Sequence, residues 1–311
     1  MTTKNVEILL ATYNGERFIG EQIESILAQT FSDWKLIIRD DGSSDRTREI
    51  CAGYVRNHPD RLELIEDGLG NLGVVGNFAQ LIHRSKASYV MFCDQDDVWL
   101  PEKIESELIE IKRLEAIHGN AFPLAVFTDA IVVDMNARLI APSLLRYINR
   151  QRKDGALNRL CVEGNCYGCT MILNRALIDR IGPIPSEVIS HDWWCGMLAA
   201  AVGRLVFLDC TPIQHRRHGL NASATKESSV TRYAREWRAL AQHRRWISRV
   251  LAQAVAFDRR YGNQLSLSRK QLFSDLCLLQ KAHWFGRRYI VARNGIQMTG
   301  VIRNAVFLLL I

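Results

Sequence analysis

Tyr89-Val90-Met91-Phe92-Cys93-Asp94-Gln95-Asp96-Asp97 decides the reading of this chain. An unbroken apolar run of this length fits a strand buried on both faces, as in a parallel sheet covered by helices. It ends in three carboxylates within four residues. Alternation along an extended chain puts Asp94 and Asp96 on one side. Such crowding is costly unless a cation neutralises it. Hard oxygen ligands that stay incomplete without a partner suit Mg²⁺ or Mn²⁺ shared with a diphosphate. The plainer alternative is a solvated acidic turn that caps the helix beginning near Pro101.

The same grammar repeats toward the N-terminus. Val6–Ala11 reads as a buried strand, broken at Thr12-Tyr13-Asn14-Gly15. Glu16–Gln29 has helical spacing of Phe18, Ile19, Ile23, Ile26 and Leu27. Trp34–Ile38 is a second strand, stopped by Arg39-Asp40-Asp41-Gly42-Ser43-Ser44, and Asp45–His58 a second helix. Leu62–Glu66 is a third strand and Gly73–Arg84 a third helix. Strands alternating with helices imply crossover units and a mainly parallel α/β sheet. The polar clusters recur at strand ends, where open α/β sheets bind ligands.

Toward the C-terminus, Ile104–Ile117 is helical, and Leu124–Asp129, Ile131–Asp134, Cys169–Leu173 and Leu205–Leu208 read as strands. Arg175–Ile181 and Asp192–Val202 read as helices, and Thr211–Ser223 as a polar loop. From Val230 onward only helical periodicity remains, so a boundary is placed near residue 225. The net charge of +7 divides at the same point. Residues 1–225 hold 24 Lys and Arg against 29 Asp and Glu, whereas residues 226–311 hold 16 against 4. An acidic body (1–225) precedes a basic, amphipathic helical extension (226–311).

Several classes drop out. No apolar run approaches the roughly 18 residues of a membrane-spanning helix. Met1–Asn5 lacks the pattern of a secretory leader, so a cytoplasmic location with reduced thiols is expected. Cys166 and Cys169 have no second pair at zinc-ribbon spacing. No glycine-rich dinucleotide fingerprint follows the first strand.

Three further clusters carry chemistry. Asp40-Asp41-Gly42-Ser43 is a turn whose carboxylates can take hydrogen bonds from a base or ribose, or simply cap a helix. His191-Asp192-Trp193-Trp194 sets an ionisable pair beside two indoles. Tryptophan faces stack on sugars, so Trp193 and Trp194 are expected on the acceptor side, with Asp192 a candidate general base; the plainer alternative is an aspartate N-cap with the tryptophans in the core. In His215-Arg216-Arg217-His218-Gly219-Leu220-Asn221, His215 reads as part of a basic surface loop and His218 as a candidate metal ligand.

Taken together these segments resemble glycosyltransferase family 2. Ile8-Leu9-Leu10-Ala11-Thr12-Tyr13-Asn14, Ser25–Phe31 and Ile37–Thr47 resemble its opening, and Cys93–Trp99 its DxD segment. The finer resemblance is to bacterial rhamnosyltransferase-like members, through Asp94–Trp99, His191–Trp194 and Arg216–Asn221. It implies a GT-A, Rossmann-like nucleotide-diphospho-sugar transferase fold. By motif, Ala11, Thr12, Tyr13 and Asn14 would line the nucleotide pocket. Asp41 would read the pyrimidine. Asn71 and Gly73 would lie near the nucleotide, with Gly168 and Thr170 beside the donor sugar. Asp94 would lie by the ribose and metal, Gln95 would contact the nucleotide sugar, and Asp96 would be the direct ligand of Mg²⁺ or Mn²⁺, with His218 a further metal or diphosphate contact. Asp192 would be the base of an inverting displacement.

The implied donor is dTDP-L-rhamnose, with a UDP-hexose as the alternative, and the implied acceptor is a lipid-linked glycan of bacterial O-antigen or capsule synthesis. A metal-dependent phosphohydrolase would explain Asp94–Asp97 but leave Asp192 idle. Nucleic-acid binding is disfavoured by the acidic body. The basic helices, with Trp237, Trp246 and Trp284, suit a peripheral site on the anionic inner face of the cytoplasmic membrane. The alternative is a helical subdomain packed on the body or on a second copy in a homodimer.

Overall fold

The computed structural model describes residues 4–150, 155–218, 232–279 and 281–311, with side chains in the helix from 232 described from residue 244 on. The expected boundary near 225, Gly219–Asn221 of the loop motif and the Trp237 side chain lie outside the described residues. The chain runs β1 (Val6–Thr12), α1 (Ile19–Leu27), β2 (Trp34–Asp40), α2 (Thr47–Asn57), β3 (Leu62–Leu64), α3 (Gly73–Arg84), β4 (Tyr89–Asp94), β5 (Val98–Trp99) and α4 (Lys103–His118). Then follow β6 (Leu124–Phe127), β7 (Ile131–Val133), β8 (Leu139–Ala141), α5 (Leu144–Tyr147), α6 (Leu157–Leu160), β9 (Met171–Asn174), α7 (Arg175–Ile181), α8 (His191–Val202), β10 (Arg204–Phe207) and β11 (Ile213–Arg216). Four helices close the chain: α9 (Arg232–Tyr261), α10 (Leu267–Leu278), α11 (Trp284–Arg293) and α12 (Val301–Leu310).

Seven strands form the main sheet in the order β10-β6-β9-β4-β1-β2-β3. All neighbours are parallel except β9, which runs antiparallel to both β4 and β6. The mainly parallel α/β expectation therefore holds. Alternation divides the core into two layers. Ile8, Leu10, Leu36 and Ile38 pack with Ile19 and Ile23 of α1, whereas Leu9, Ile37 and Phe92 pack with Phe78 of α3 and the residues of α8. Both faces of β1 and β2 are covered, which is why these strands lack polar alternation.

A second sheet, β5-β11-β7-β8, corrects the reading of Thr211–Ser223 as a polar loop. Ile213–Arg216 pairs antiparallel with β5 and parallel with β7. Its polar side chains face the acidic cluster described below, so tertiary pairing overrides local propensity.

The C-terminal helices pack on the body. Phe257 of α9 meets Trp194 of α8 edge-on at 5.2 Å and stacks on Phe273 of α10 at 4.6 Å. Tyr261 donates its hydroxyl to the Ile181 carbonyl at 2.7 Å. Phe307 and Ile311 are also buried in this core. No described helix is long and apolar enough to cross a membrane. All eight cysteines are free thiols.

Candidate active site

Parallel register brings the expected segments to one edge. Thr12 lies opposite Asp40, and Ala11 opposite Asp94. Thr12 Oγ1 donates to Asp40 Oδ1 at 3.0 Å, and the Asn14 N–H to Ser43 Oγ at 2.8 Å. Asn14 sits at φ +48°, and its Oδ1 accepts the Ser44 N–H at 2.8 Å. Tyr13 and Gln95 exchange two bonds, N–H to Oε1 at 2.8 Å and Nε2 to the carbonyl at 3.0 Å. Together these contacts make one rigid rim from the ends of β1, β2 and β4. The Tyr13 side chain stays half-exposed on it, a ring open to a flat partner.

Asp41 is buried, and its carboxylate is engaged from within. Oδ1 accepts from Arg39 at 2.7 Å and from the Leu72 N–H at 2.8 Å, and Oδ2 accepts the Gly73 N–H at 2.8 Å. It therefore caps the N-terminus of α3, where orphan N–H groups and the helix dipole favour an anion. Asn71 Oδ1 also accepts the Gly73 N–H, at 3.2 Å, and Gly73 adopts φ +70°, which suits glycine. Arg39, one of the largest fully buried side chains, also binds Asp67 at 2.8 Å and the Gly70 carbonyl at 3.1 Å. In sequence the strand ends at Ile38 and Arg39 has no role beyond the polar stop; a lone arginine before two aspartates was the available signal.

The acidic cluster is compact. Burial, then the charges of Asp97 and Asp96, hold the Asp94 carboxyl well above the usual carboxylate range. Burial and Asp97 also raise Asp96, against a hydrogen bond with His218 Nε2 at 2.8 Å. Asp97 is fully buried. Its Oδ1 lies 3.0 Å from His215 Nδ1 and accepts the Arg216 N–H at 3.2 Å, and Oδ2 has no hydrogen-bond partner. Burial opposes charge on His215, but Asp97, then Asp94 and Asp96, outweigh it and hold the imidazole at about 9. The expectation of a surface loop at His215 is thus corrected: the ring is an internal counter-charge, with the Cys169 thiol beside it. Arg216, buried as well, donates to the Asp96 carbonyl at 3.0 Å and to Glu21 at 2.6 Å. His218 stacks on Phe18 at 4.8 Å. Asp94, Asp96 and His218 offer hard oxygens and one imidazole amid excess negative charge, a donor set that fits Mg²⁺ or Mn²⁺.

Asp192, in the first turn of α8, reaches this cluster through the Gly168–Cys169 turn, whose Cys169 Sγ lies within 4.8 Å of ligand atoms of Asp97 and His215. Its charge contributes to raising Asp94. Asp192 Oδ2 accepts the Gly168 N–H at 2.9 Å. Gly168 and Thr170 belong to a buried 3-10 turn, and Thr170 Oγ1 donates to the Tyr167 carbonyl at 2.7 Å. Of the two expected donor-sugar residues, Gly168 therefore touches the expected base, and Thr170 lies in the same turn.

Trp193 and Trp194 do not face the site, contrary to the acceptor-side expectation. Trp193 donates its ring N–H to the Leu160 carbonyl at 2.5 Å and stacks on Trp246 at 6.4 Å, and Trp194 is fully buried against Phe257. The cause is that α8 lies between the sheet and α9, so almost every position on it is inward. His191 is buried too, stacked on Phe78 at 3.7 Å, with neither ring nitrogen hydrogen-bonded. Burial holds it down to about 4, so it is neutral.

The family model for Glycosyl transferase family 2 matches residues 7–182. The chain belongs to this family. It is 26% identical over 274 residues to the dTDP-rhamnosyl transferase RfbG of Shigella flexneri, covering 82% of this chain and 88% of that protein. It is also 26% identical over 178 residues to the UDP-Glc:alpha-D-GlcNAc-diphosphoundecaprenol beta-1,3-glucosyltransferase WfgD of Escherichia coli, covering 56% and 62%. Among solved structures, the mannosyltransferase PcManGT from Pyrobaculum calidifontis, in complex with GDP-Man and Mn²⁺, aligns over 99% of this chain and 79% of its own with TM-score 0.55 and 15% identity. The sheet and its flanking helices are thus those of a GT-A glycosyltransferase.

Proposed function

We propose that this glycosyltransferase inverts configuration while moving L-rhamnose from dTDP-L-rhamnose to a hydroxyl of a lipid-linked glycan. The setting is bacterial surface-polysaccharide synthesis, of O-antigen or capsule type, on the inner face of the cytoplasmic membrane. The observation that carries this reading is the turn that joins Asp192 to the acidic cluster: Asp192 Oδ2 accepts the Gly168 N–H at 2.9 Å, and the next residue, Cys169, has its Sγ within 4.8 Å of ligand atoms of Asp97 and His215. A base on one side and a diphosphate edge on the other are what an in-line displacement needs.

Asp192, fixed by the Gly168 N–H, accepts the proton of the acceptor hydroxyl as its oxygen bonds to the anomeric carbon. The bond to the nucleotide diphosphate breaks on the opposite side. Asp94, Asp96 and His218 would hold Mg²⁺ or Mn²⁺, which when bound offsets charge on the departing diphosphate. PcManGT, of the same fold, was solved with Mn²⁺, which supports use of a divalent ion. The rim formed by Ala11, Thr12, Tyr13, Asn14, Gln95, Asn71 and Gly73 receives the nucleoside. For Asp41 to read the pyrimidine, the base N–H must share its carboxylate with Arg39 and the α3 N-terminus.

RfbG supports the rhamnosyl donor, and the diphosphoundecaprenol acceptor in the name of WfgD supports a lipid-linked one. WfgD equally favours a second reading, a UDP-hexose donor. Thermal shift with Mn²⁺ and a panel of nucleotide sugars separates them. Stabilisation by dTDP-L-rhamnose above UDP-glucose and GDP-mannose is expected, followed by rhamnosyl transfer to a lipid-diphosphate glycan. Selective stabilisation by a UDP-hexose would replace the donor. Hydrolysis of every donor without transfer to any acceptor would reject the transferase mechanism.

A further inference from the structure

We infer that the N-terminal half of α11, with the end of α12 and the turn before it, is a docking surface for an anionic lipid bilayer. The inference rests on the lipid-linked acceptor proposed above and gives it a place on the molecule.

The first observation is aromatic exposure. Trp284, Phe285 and Tyr289 are 56%, 74% and 64% exposed, and Leu309 is 74% exposed. They form one patch. Phe285 and Tyr289 stand four residues apart, on one helix face. Trp284 and Phe285 meet edge-on at 4.8 Å. Arg288 stacks its guanidinium 3.5 Å over Trp284 and donates to the Leu308 carbonyl at 2.7 Å, which brings the end of α12 alongside. Leu278, 53% exposed, adjoins through the turn in which the Lys281 N–H binds its carbonyl at 3.0 Å. Folding has left these rings outside while packing Ile290, Val291 and Phe307 inside.

The second observation is charge. Residues 276–311 contain Lys281, Arg287, Arg288, Arg293 and Arg303 and no carboxylate. Arg303 faces inward to Glu163 at 2.9 Å, whereas Lys281 and Arg293 are exposed. Aromatic rings within a carboxylate-free basic field match an anionic headgroup layer, where rings enter the acyl boundary and each cation adds attraction. A second copy of the chain would bring the same positive charge to the contact, so the bilayer is the occupant.

The third observation fixes the surface to the body. Glu163, fully buried, binds Arg150 at 2.7 Å as well as Arg303, and its Oε2 accepts the Thr299 N–H at 2.9 Å. Asn158 donates to the Gly295 carbonyl at 2.8 Å. The C-terminal end of α11 and the start of α12, the ends away from the patch, are thus anchored to residues 158–163 and hold both helices on the body.

The test is flotation of the full chain, without any nucleotide sugar, with vesicles of phosphatidylcholine alone or mixed with phosphatidylglycerol. Binding is expected only to the anionic vesicles, weakening as salt rises. Trp284→Ser with Phe285→Ser should lower partitioning about tenfold or more, and Lys281→Glu with Arg293→Glu should do the same. Both variants should keep the wild-type melting temperature and donor-induced stabilisation, since neither pair touches the active site. Failure of the wild type to float with anionic vesicles overturns the surface, as does flotation indifferent to both variants. A wild-type dimer that these substitutions dissociate, without vesicle binding, assigns the patch to a second copy instead. None of these outcomes depends on the donor, so this proposal and the transfer reaction can fail separately.

Discussion

The Gly168 N–H donates to Asp192 Oδ2 at 2.9 Å, so a backbone group on one segment aims the carboxylate of another. Asp192→Asn keeps the shape but removes the base. Turnover should fall by about 10²–10⁴-fold, while donor binding measured by calorimetry stays near wild type. Gly168→Ala attacks the same relationship indirectly. An added Cβ would lie 2.8 Å from His191 Nε2 and 3.5 Å from the Asp192 Cβ, so the turn must shift. A displacement of about 1 Å at a reacting group costs on the order of 10²-fold. The loss should appear in kcat with little change in donor affinity. Equal turnover in wild type and Asp192→Asn would falsify the base assignment.

Metal dependence follows from the crowded carboxylates. Chelation should abolish transfer, and Mn²⁺ or Mg²⁺ should restore it. Asp96→Asn removes a hard ligand and leaves its His218 contact weaker. The metal concentration for half-maximal activity should rise about 10-fold or more, by analogy with the 10–100-fold cost of losing a supporting group. Titrating activity against Mn²⁺ for both proteins checks this. Full transfer by chelated enzyme would remove the metal from the mechanism.

His191 makes stability depend on pH in a defined direction. Burial lowers its folded value from 6.5 to about 4, so the unfolded chain binds the proton first as pH falls. Its contribution is intact above pH 6.5 and is lost progressively down to about pH 4. The full loss is about 3 kcal/mol at 1.36 kcal/mol per unit. His191→Phe preserves a ring against Phe78 and cannot titrate. The difference in unfolding free energy between wild type and variant should therefore change between pH 7 and pH 4.5. Parallel pH profiles would show that the ring is not buried as a neutral base.

The main sheet was legible because both faces of β1, β2 and β4 are covered, which forces unbroken apolar runs with polar stops. The candidate site was legible as far as its segments, since Asp94–Asp97 and Asp192 are charges that a core does not otherwise tolerate. The helix α8 was legible too, but not the direction its tryptophans face. Trp193 and Trp194 look like sugar-stacking residues in sequence, and only the packing of α9 across α8 turns them inward. β11 was missed for the converse reason. His215 and Arg216 read as solvent-facing groups of a polar loop, yet their partners, Asp97 and Glu21, lie more than a hundred positions away in the chain. Local propensity carries no trace of such pairing.

Arg39 supports the last prediction. It is 1% exposed, and it ties Asp41, Asp67, Asn77 and the Gly70 carbonyl into one network under the nucleotide rim. Removing one partner of a buried ion pair leaves the others uncompensated, at a cost of about 3–5 kcal/mol. Arg39→Met fills similar volume but cannot pair, so the urea midpoint should drop by a corresponding amount. Arg39→Lys should recover only part of it, because one ammonium cannot reproduce the fork that reaches Asp41 and Asp67 at once. The network also fixes the segment from Asp67 to Gly73, so the surviving folded Arg39→Lys enzyme should show a raised KM for the donor and a kcat closer to wild type. A variant with wild-type stability and donor KM would mean that the network is not needed to hold the rim.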